Sequence, residues 1–400
     1  MSGLETFDVV VVGGGPAGAT AAHELALAGR SVLLLDRNGR IKPCGGAIPP
    51  QLMREFEIPE SLLCARIQSA RMVSPAERRV DMPINGGYVG MVKRDEFDPW
   101  LRQRAASAGA QLRVGTLHEV TRDEGGTARI HYYPGAPGRN RATSESVRAR
   151  CLIGADGANS LVAKQCLPGR HKMRYVNAYH EIVAAPVGAG GDHDPTRCDV
   201  YYQGVISPDF YGWIFPHGDS ISVGVGTAID GFSLRQATTR LREAAGLDQT
   251  TTLRREGAPI PLQPRPRWDD GRNLILAGDA AGVVAPASGE GIYYAMVSGR
   301  LAAQAADTFC ATGNIRALAT ARSRFMKAHG RVFFILGLLQ RFWYSSDRRR
   351  ERFVSMCRDP DVQRLTWEAY MNKRLVRSSP VAHLRILVKD VAHLLGMVRP

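Results

Sequence analysis

A glycine-rich turn near the start of the chain has the spacing needed to hold a phosphate. Residues 13–18 read GGGPAG, and they lie between a short apolar run and an Ala-rich segment. Glycines let the backbone approach a pyrophosphate, and the amides that open the following helix attract its charge. Asp36 ends the next apolar run, where a carboxylate accepts hydrogen bonds from an adenosine ribose. This combination predicts a dinucleotide site, and a tight turn without a ligand is the alternative.

A second segment, far along the chain, distinguishes between dinucleotides. An apolar run at 274–277 leads into Gly278 and Asp279, and a helical pattern follows. In this context Asp279 would bind a ribityl hydroxyl, and the amides that open the next helix would face the pyrimidine edge of a flavin. Asp156 follows an earlier strand in a similar way. Either aspartate alone could simply cap a helix or hold a turn, but the three elements in this order predict FAD.

The predicted flavin-binding residues come from the glycine turn, the ends of neighbouring strands and the start of the late helix. They are Gly13, Gly15, Pro16, Ala17, Gly18, Asp36, Arg37, Arg94, Asp156, Gly278, Asp279, Gly289, Gly291 and Ile292. Arg94 opens a predicted helix and could equally be a solvated arginine. The seven cysteines form no CxxC pair and no metal-ligand spacing, so neither a disulfide framework nor a metal site is expected.

The elements that carry these residues are interleaved along the chain. Apolar runs and helical spacing predict buried strands at 7–12, 31–35 and 273–277 and helices at 17–28 and 94–108. Between about 175 and 260 the apolar pattern has period two, which indicates a mostly antiparallel sheet. From residue 291 the pattern is helical.

We therefore predict an α/β fold with an α+β insert. Its parts are a discontinuous Rossmann-like FAD-binding domain at 1–174 and 261–315, an antiparallel-sheet substrate domain at 175–260, and a basic helical region at 316–400.

Two further motifs resemble those of a known family. Residues 42–46 read KPCGG and are similar to the K/Y-x-C-G-G loop of the geranylgeranyl reductases. Residues 208–216 read PDFYGWIFP and match their P-x-x-Y-x-W-x-F-P motif at every fixed position. The order of the flavin motifs resembles the flavoprotein group that includes para-hydroxybenzoate hydroxylase. The resemblance covers nearly the whole chain and is closest to the branch of the family that acts in (bacterio)chlorophyll biosynthesis.

This resemblance implies reduction of the isolated double bonds of a geranylgeranyl group to phytyl. The substrate would be a prenylated tetrapyrrole, geranylgeranyl-(bacterio)chlorophyll, or geranylgeranyl diphosphate. NADPH is implied as a transient electron donor, and the chain has no second GxGxxG for a resident nicotinamide. The matched loop implies a pocket role for Cys44, with Cys44, Gly45 and Gly46 at the cofactor. A lone cysteine is otherwise typical of a small buried thiol.

Three aromatic residues of the second motif alternate along an extended segment. Tyr211, Trp213 and Phe215 should therefore present their rings on one face. With the family motif they predict a substrate pocket along which a prenyl chain could slide, and Tyr211, Trp213 and Cys44 are the predicted catalytic residues. The pattern alone is typical of ordinary sheet core.

The formal charge of +14 is concentrated near the C-terminus, where residues 316–400 contain 18 Lys and Arg against 6 Asp and Glu. Features there that suit an anionic membrane interface are an apolar run at 332–339, the cluster Arg348, Arg349, Arg350 and Arg352, and a helical pattern at 381–395. Packing on the protein's own core or on a second subunit is the alternative. We expect a cytoplasmic protein without signal or transmembrane segment, in at most peripheral contact with the photosynthetic membrane, and with no nucleic-acid partner.

Two other functions stay open on the sequence. A flavin monooxygenase or halogenase would use O2 on the same scaffold, although the W-x-W-x-I-P signature of halogenases is absent. A non-catalytic pigment carrier would bind FAD without its being reduced. Consumption of a prenyl alkene in the absence of oxygen separates the reductase from both.

Overall fold

The computed structural model describes residues 4–37, 41–135, 143–167, 173–186 and 192–373. The strands are β1 (Thr6–Val12), β2 (Val32–Asp36), β3 (Ala47–Ile48), β4 (Leu63–Ile67), β5 (Ser69–Val73), β6 (Arg79–Pro83), β7 (Val89–Val92), β8 (Gln111–Arg122), β9 (Ala128–Pro134), β10 (Glu145–Gly154), β11 (Tyr175–Ala184), β12 (Arg197–Tyr201), β13 (Gly212–Pro216), β14 (Ser220–Thr227), β15 (Thr252–Pro261) and β16 (Leu274–Leu276). The helices are α1 (Pro16–Leu27), α2 (Pro50–Glu55), α3 (Arg94–Ser107), α4 (Leu161–Cys166), α5 (Leu234–Ala244), α6 (Ile292–Thr312), α7 (Thr320–Trp343), α8 (Asp347–Met356) and α9 (Pro360–Asn372).

The chain divides into two compact units, each assembled from three segments. The first takes the described residues of 1–42, 94–175 and 259–335, and the second takes those of 43–93, 176–258 and 336–400. This division differs from the predicted domain boundaries. The segment 43–93 belongs to the second unit because β5 pairs in parallel with β12. The predicted C-terminal region does not stand apart, since its described residues are shared between the two units.

The first unit is built on a sheet whose strand ends meet at one edge. β1 pairs in parallel with β2 and β10, and β10 pairs in parallel with β16. The register sets Val12 beside both Leu35 and Gly154, and Gly154 beside Leu276. Asp36, the last residue of β2, and the segments that begin at Gly13, Ala155 and Ala277 therefore lie at the carboxyl edge of the sheet, which is where open α/β sheets bind ligands.

The second unit contains a mostly antiparallel sheet with two chemically different faces. β14 lies between β11 and β13, and β13 pairs with β12. On one face Ile214, Val223 and Val225 are buried in an apolar core with Leu241 of α5. The residues that alternate with them in β13 and β14 point to the opposite face, because side chains of a strand alternate with period two.

The helices in the described part of the chain lack the length and apolarity that a bilayer span requires.

Candidate functional site

Two glycines of the phosphate-type turn are required by the packing of the first unit itself. Gly13 has a left-handed φ of +103°, and a Cβ built on it would lie 2.3 Å from the carbonyl oxygen of Ala155. A Cβ on Gly18 would lie 1.8 Å from the carbonyl oxygen of Gly13. Neither position accepts a side chain, so the sharp turn between β1 and α1 depends on both residues.

Gly15 has a different environment, which fits a bound phosphate. No atom of the described residues, chain neighbours aside, lies within 4 Å of a Cβ built there. Gly15 is the N-cap of α1 and precedes Pro16, so the open space lies before a helix N-terminus. Asp36 Oδ2 accepts a hydrogen bond of 2.6 Å from the Gly14 amide, which fixes this carboxylate beside the turn. The turn therefore has the form of a dinucleotide cradle, in which each predicted cofactor contact remains a prediction.

Two arginines of α3 differ from what the sequence suggested. Arg94 is buried and pairs with Asp98 at 2.7 Å, so the alternative of a solvated arginine is wrong. Its contact with the cofactor remains a prediction. Arg102 donates from Nη1 to the Gly14 carbonyl oxygen at 3.2 Å, which adds a positive charge to the turn. Sequence reasoning missed Arg102 because no motif surrounds it. Arg37 is exposed just after β2.

The late segment brings Asp279 to the start of α6. Gly278 has a φ of +62°, and its amide donates to Ser298 Oγ at 2.9 Å. The Asp279 side chain is buried and forms an ion pair with Lys42. A Cβ built on Gly291 would lie 3.9 Å from Asp279 Oδ1, so the carboxylate lies beside the N-cap that precedes Ile292. Gly289 also has a left-handed φ, of +64°.

The turn and the late segment pack directly on each other through small residues. A Cβ on Gly278 would lie 2.8 Å from Ala17 Cβ, and one on Gly299 would lie 2.2 Å from the Ala17 carbonyl oxygen. The starts of α1 and α6 are thereby held in fixed positions within the first unit. Two helix N-termini and two carboxylates in one unit suit a ligand with phosphate and hydroxyl groups.

Asp156 caps a helix. Its Oδ1 accepts from Ser160 Oγ at 2.5 Å, and its Oδ2 accepts from the amides of Leu161 and Val162 at 2.6 and 3.1 Å. Burial raises the pKa of this carboxyl, and the hydrogen bonds oppose that shift. The structure thus shows the capping role that the sequence left as an alternative, and a contact with the cofactor stays a prediction.

The aromatic residues of the second motif form a row in the second unit. The ring centroids of Tyr211 and Trp213 are 6.1 Å apart, and those of Trp213 and Phe215 are 6.3 Å apart. The prediction that these rings share a face is confirmed. The row continues beyond the motif, because Tyr202 lies 6.0 Å from Tyr211 and 5.2 Å from Tyr344.

The two family-type motifs pack against each other, which the sequence did not indicate. A Cβ on Gly45 would lie 3.0 Å from the ring of Phe215. Gly46 has a φ of +72°, and its Cβ would lie 2.6 Å from Nε2 of His217. Cys44 Sγ accepts from the Gly46 amide at 3.4 Å, and Cys44 is partly exposed. Gly45 and Gly46 are thus explained by packing in the second unit, and their contact with a flavin remains a prediction.

His217 is a buried histidine in direct contact with the KPCGG loop. Its Nδ1 lies 3.0 Å from the Phe215 carbonyl oxygen, an acceptor that fixes Nδ1 as the donor. Burial lowers the pKa of His217 to about 4, against the opposing effect of that hydrogen bond. His217 is therefore neutral at neutral pH.

We expect this histidine to make the folded state acid-sensitive. Its pKa is lower in the folded protein than the ~6.5 of an unfolded chain, so stability is present above pH ~6.5 and lost as pH falls toward 4. Between pH 7 and pH 5 the protonation of this histidine in the unfolded chain lowers the free energy of unfolding by about 2 kcal/mol. Urea denaturation should show a smaller loss over this interval for His217→Gln than for the wild type. An equal loss in both proteins would contradict the assignment.

The basic cluster at 348–352 is not uniformly solvated. The exposed fraction of Arg350 is 3%, and its guanidinium donates to the carbonyl oxygens of Pro208 and Tyr344. Arg350 also pairs with Asp347 at 2.6 Å. The prediction that all four arginines face a membrane is wrong for this residue, which instead anchors the start of the aromatic motif. The reason is that backbone acceptors leave no trace in the sequence pattern.

Known proteins are similar to this protein over nearly its whole length. Residues 6–186 match the family model described as an FAD binding domain. The chain is 54% identical over 396 residues to a geranylgeranyl diphosphate reductase of Rhodobacter capsulatus, covering 98% of this chain and 99% of that protein. It is 37% identical to the chloroplastic geranylgeranyl diphosphate reductase of Oryza sativa subsp. japonica, covering 96% and 86% of the two chains.

Among solved structures, a geranylgeranyl bacteriochlorophyll reductase-like protein from Thermoplasma acidophilum superposes with a TM-score of 0.79. The match covers 95% of this chain and 100% of the other at 23% identity, which supports the fold. The predicted fold class is thereby confirmed.

Proposed function

The chain belongs to the geranylgeranyl reductase family of FAD-dependent oxidoreductases, and we propose that it reduces the isolated double bonds of a geranylgeranyl group to phytyl in (bacterio)chlorophyll biosynthesis. The substrates would be geranylgeranyl-(bacterio)chlorophyll, geranylgeranyl diphosphate, or both. The observation that carries this proposal is the aromatic row of the second unit, which is packed against the KPCGG loop.

FAD, when bound and reduced, supplies the hydride for this reaction. Gly15, Asp36 and Asp279 are the residues that would hold it, at the open helix N-terminus and the two carboxylates of the first unit. Tyr211 and Trp213 would bind the tail, because their large ring surfaces gain about 25 cal/mol for each Å² of apolar area removed from water. A row of rings has no polar group at fixed spacing along its faces, so successive isoprene units can occupy the same place. Cys44 would position the reacting segment or help deliver the proton.

We propose NADPH as the electron donor, which visits the enzyme transiently. The support is the family relationship and the single GxGxxG of the sequence.

The decisive experiment is an anaerobic incubation of the FAD-loaded enzyme with NADPH and each of the two substrates, followed by mass analysis of the tail. The proposal expects the tail to gain two hydrogen atoms for each reduced double bond. Full reduction of the flavin with an unchanged tail in both incubations would overturn it. A product formed only after oxygen is admitted would identify a monooxygenase instead.

We also propose peripheral contact with an anionic membrane through the end of α7 and the start of α8. The exposed fractions of Leu338 and Leu339 are 59% and 39%. Arg348 and Arg349 are exposed, and the Arg349 guanidinium lies 4.4 Å from the centroid of the Phe342 ring. Exposed apolar side chains together with exposed cations suit the headgroup region of anionic lipids. The predicted helical pattern at 381–395 lies outside the described residues.

Liposome flotation tests the membrane proposal. The wild type should float with anionic vesicles at low ionic strength and be released by salt, because Lys and Arg each contribute about 1 kcal/mol at such a surface. Arg348→Gln combined with Arg349→Gln should weaken binding about tenfold or more, and Leu338→Ser should also weaken it. Ile315→Ser is the matched control, since Ile315 is exposed but lies on another element. A wild type that stays in solution at low salt would show that this surface has another role.

A further inference from the structure

A chain of buried polar side chains leads from the aromatic row into the sheet of the second unit. Trp213 Nε1 donates to Ser222 Oγ at 3.1 Å, and Ser222 Oγ lies 2.9 Å from Nδ1 of His180. His180 Nε2 lies 3.0 Å from Oε2 of Glu256, whose other oxygen pairs with Arg254. Apart from Trp213, none of these residues belongs to a motif identified in the sequence.

These hydrogen-bonded side chains lie on one face of the sheet, and the register of the strands explains why. Gly224 of β14 is the partner of both His180 in β11 and Trp213 in β13. A Cβ on Gly224 would lie 2.2 Å from Trp213 Cζ2 and 2.5 Å from His180 Cβ. Ser222 is two residues away on the same strand and so shares this face. A glycine at 224 therefore lets the indole and the imidazole lie over the strand, next to the serine that links them.

One protonation state of His180 satisfies every member of this series of hydrogen bonds. An indole N–H can only donate, so Ser222 Oγ is the acceptor of Trp213. In the neutral tautomer with its proton on Nε2, His180 donates to the Glu256 carboxylate, and its Nδ1 accepts from the Ser222 hydroxyl.

Because these side chains are buried, the loss of one hydrogen bond is costly. Ser222 has an exposed fraction of 0% and His180 of 3%, so water does not replace a partner that is lost. An unsatisfied buried donor carries a desolvation penalty, and a network of this kind selects one orientation for each member. Because these hydrogen bonds end on the indole of Trp213, they fix the orientation that the indole has within the aromatic row.

We propose that His180 and Ser222 are positioning residues that hold the Trp213 indole in one orientation and thereby determine how tightly a polyprenyl tail binds. This inference rests on the proposed function. The two residues act through Trp213 and take no part in the transfer of hydride or proton.

Two substitutions at His180 distinguish its hydrogen bond to Ser222 from its hydrogen bond to Glu256. His180→Asn keeps an acceptor at the place of Nδ1 and loses the link to Glu256. His180→Gln keeps a donor at the place of Nε2 and offers Ser222 no acceptor. Ser222→Ala, which removes the acceptor of the indole, is an independent second variant. The FAD-loaded enzymes are incubated anaerobically with excess dithionite and varied concentrations of geranylgeranyl diphosphate. The consumption of dithionite, followed by its absorbance, gives kcat and KM.

The inference expects His180→Gln and Ser222→Ala to raise KM about tenfold with kcat within about twofold, and His180→Asn to stay near the wild type. Near-ultraviolet circular dichroism provides a second readout, with the Trp213 contribution defined as the difference between the wild type and Trp213→Phe. That contribution should shrink in His180→Gln and Ser222→Ala and persist in His180→Asn.

A wild-type KM and an unchanged dichroism contribution in His180→Gln and Ser222→Ala would overturn the inference, and so would equal effects of Asn and Gln. If the wild type does not reduce the diphosphate, the proposed substrate fails while the dichroism still tests the positioning role.

Discussion

Replacing Gly15 with valine is expected to yield a folded protein that purifies without FAD. Space for the new side chain exists in the described protein, since no atom lies within 4 Å of the built Cβ apart from chain neighbours. An isopropyl group would occupy the place before the N-terminus of α1 where a pyrophosphate would lie. We expect FAD affinity to fall about a hundredfold or more, measured as flavin absorbance per protein and by titration with added FAD.

Substitutions at two other glycines distinguish a loss of FAD binding from a loss of folding. Valine is a poor N-cap, but the cost of about 1 kcal/mol is small against a typical stability of about 5–15 kcal/mol. Gly18→Ala should instead prevent folding, because its Cβ would lie 1.8 Å from a backbone oxygen. Gly125→Val is the matched control, since its Cβ would meet only the side chain of Asp123, at 3.6 Å. Normal FAD content in Gly15→Val would remove the turn from the cofactor site.

The flavin-binding half could be predicted because its signals are local. The strand predicted at 7–12 and the helix predicted at 17–28 correspond to β1 (Thr6–Val12) and α1 (Pro16–Leu27) within about a residue. A phosphate turn needs its strand, glycines and helix to be contiguous in the chain, so a short window contains the whole pattern.

The second unit depends on pairings between distant segments. β5 and β12 are neighbours in space but more than a hundred residues apart in sequence, and no local pattern marks that pairing. The packing of Gly45 on Phe215 is hidden for the same reason. The motif residues could be recognised individually, but their mutual contact required the fold.

Residues that hold the motifs in place were the hardest to find. The sequence places Arg350 in a cluster predicted to face a membrane, whereas its role depends on backbone carbonyls that any sequence supplies. His180 and Ser222 lie in strands whose period-two pattern gives no reason to single them out. A buried polar residue is informative only when its partners are known, and those partners come from different strands.

Replacing Trp213 with alanine is expected to suppress alkene reduction far more than reduction of the flavin. Gly15, Asp36 and Asp279, which are predicted to hold FAD, belong to the first unit, whereas Trp213 lies between Tyr211 and Phe215 in the aromatic row of the second. A tryptophan buries about 150–250 Å², and loss of half that contact area with a prenyl tail removes about 2–3 kcal/mol. We therefore expect kcat/KM for the alkene to fall about a hundredfold, and the rate of flavin reduction by NADPH to stay within about twofold.

The two half-reactions must be measured separately, because a Trp→Ala change in a buried site also costs about 3–5 kcal/mol of stability. Ile214→Val is the matched control, since Ile214 is adjacent in β13 but points into the apolar core on the other face. It should leave both half-reactions near wild-type rates. Tyr211→Ala should resemble Trp213→Ala, and Cys44→Ala should do so if the thiol belongs to the same pocket. A selective loss of alkene reduction in the Trp213 and Tyr211 variants, with flavin reduction retained, is the result expected if these rings contact the tail. Equal loss of both half-reactions, with a lowered Tm, would show that the row is sheet core.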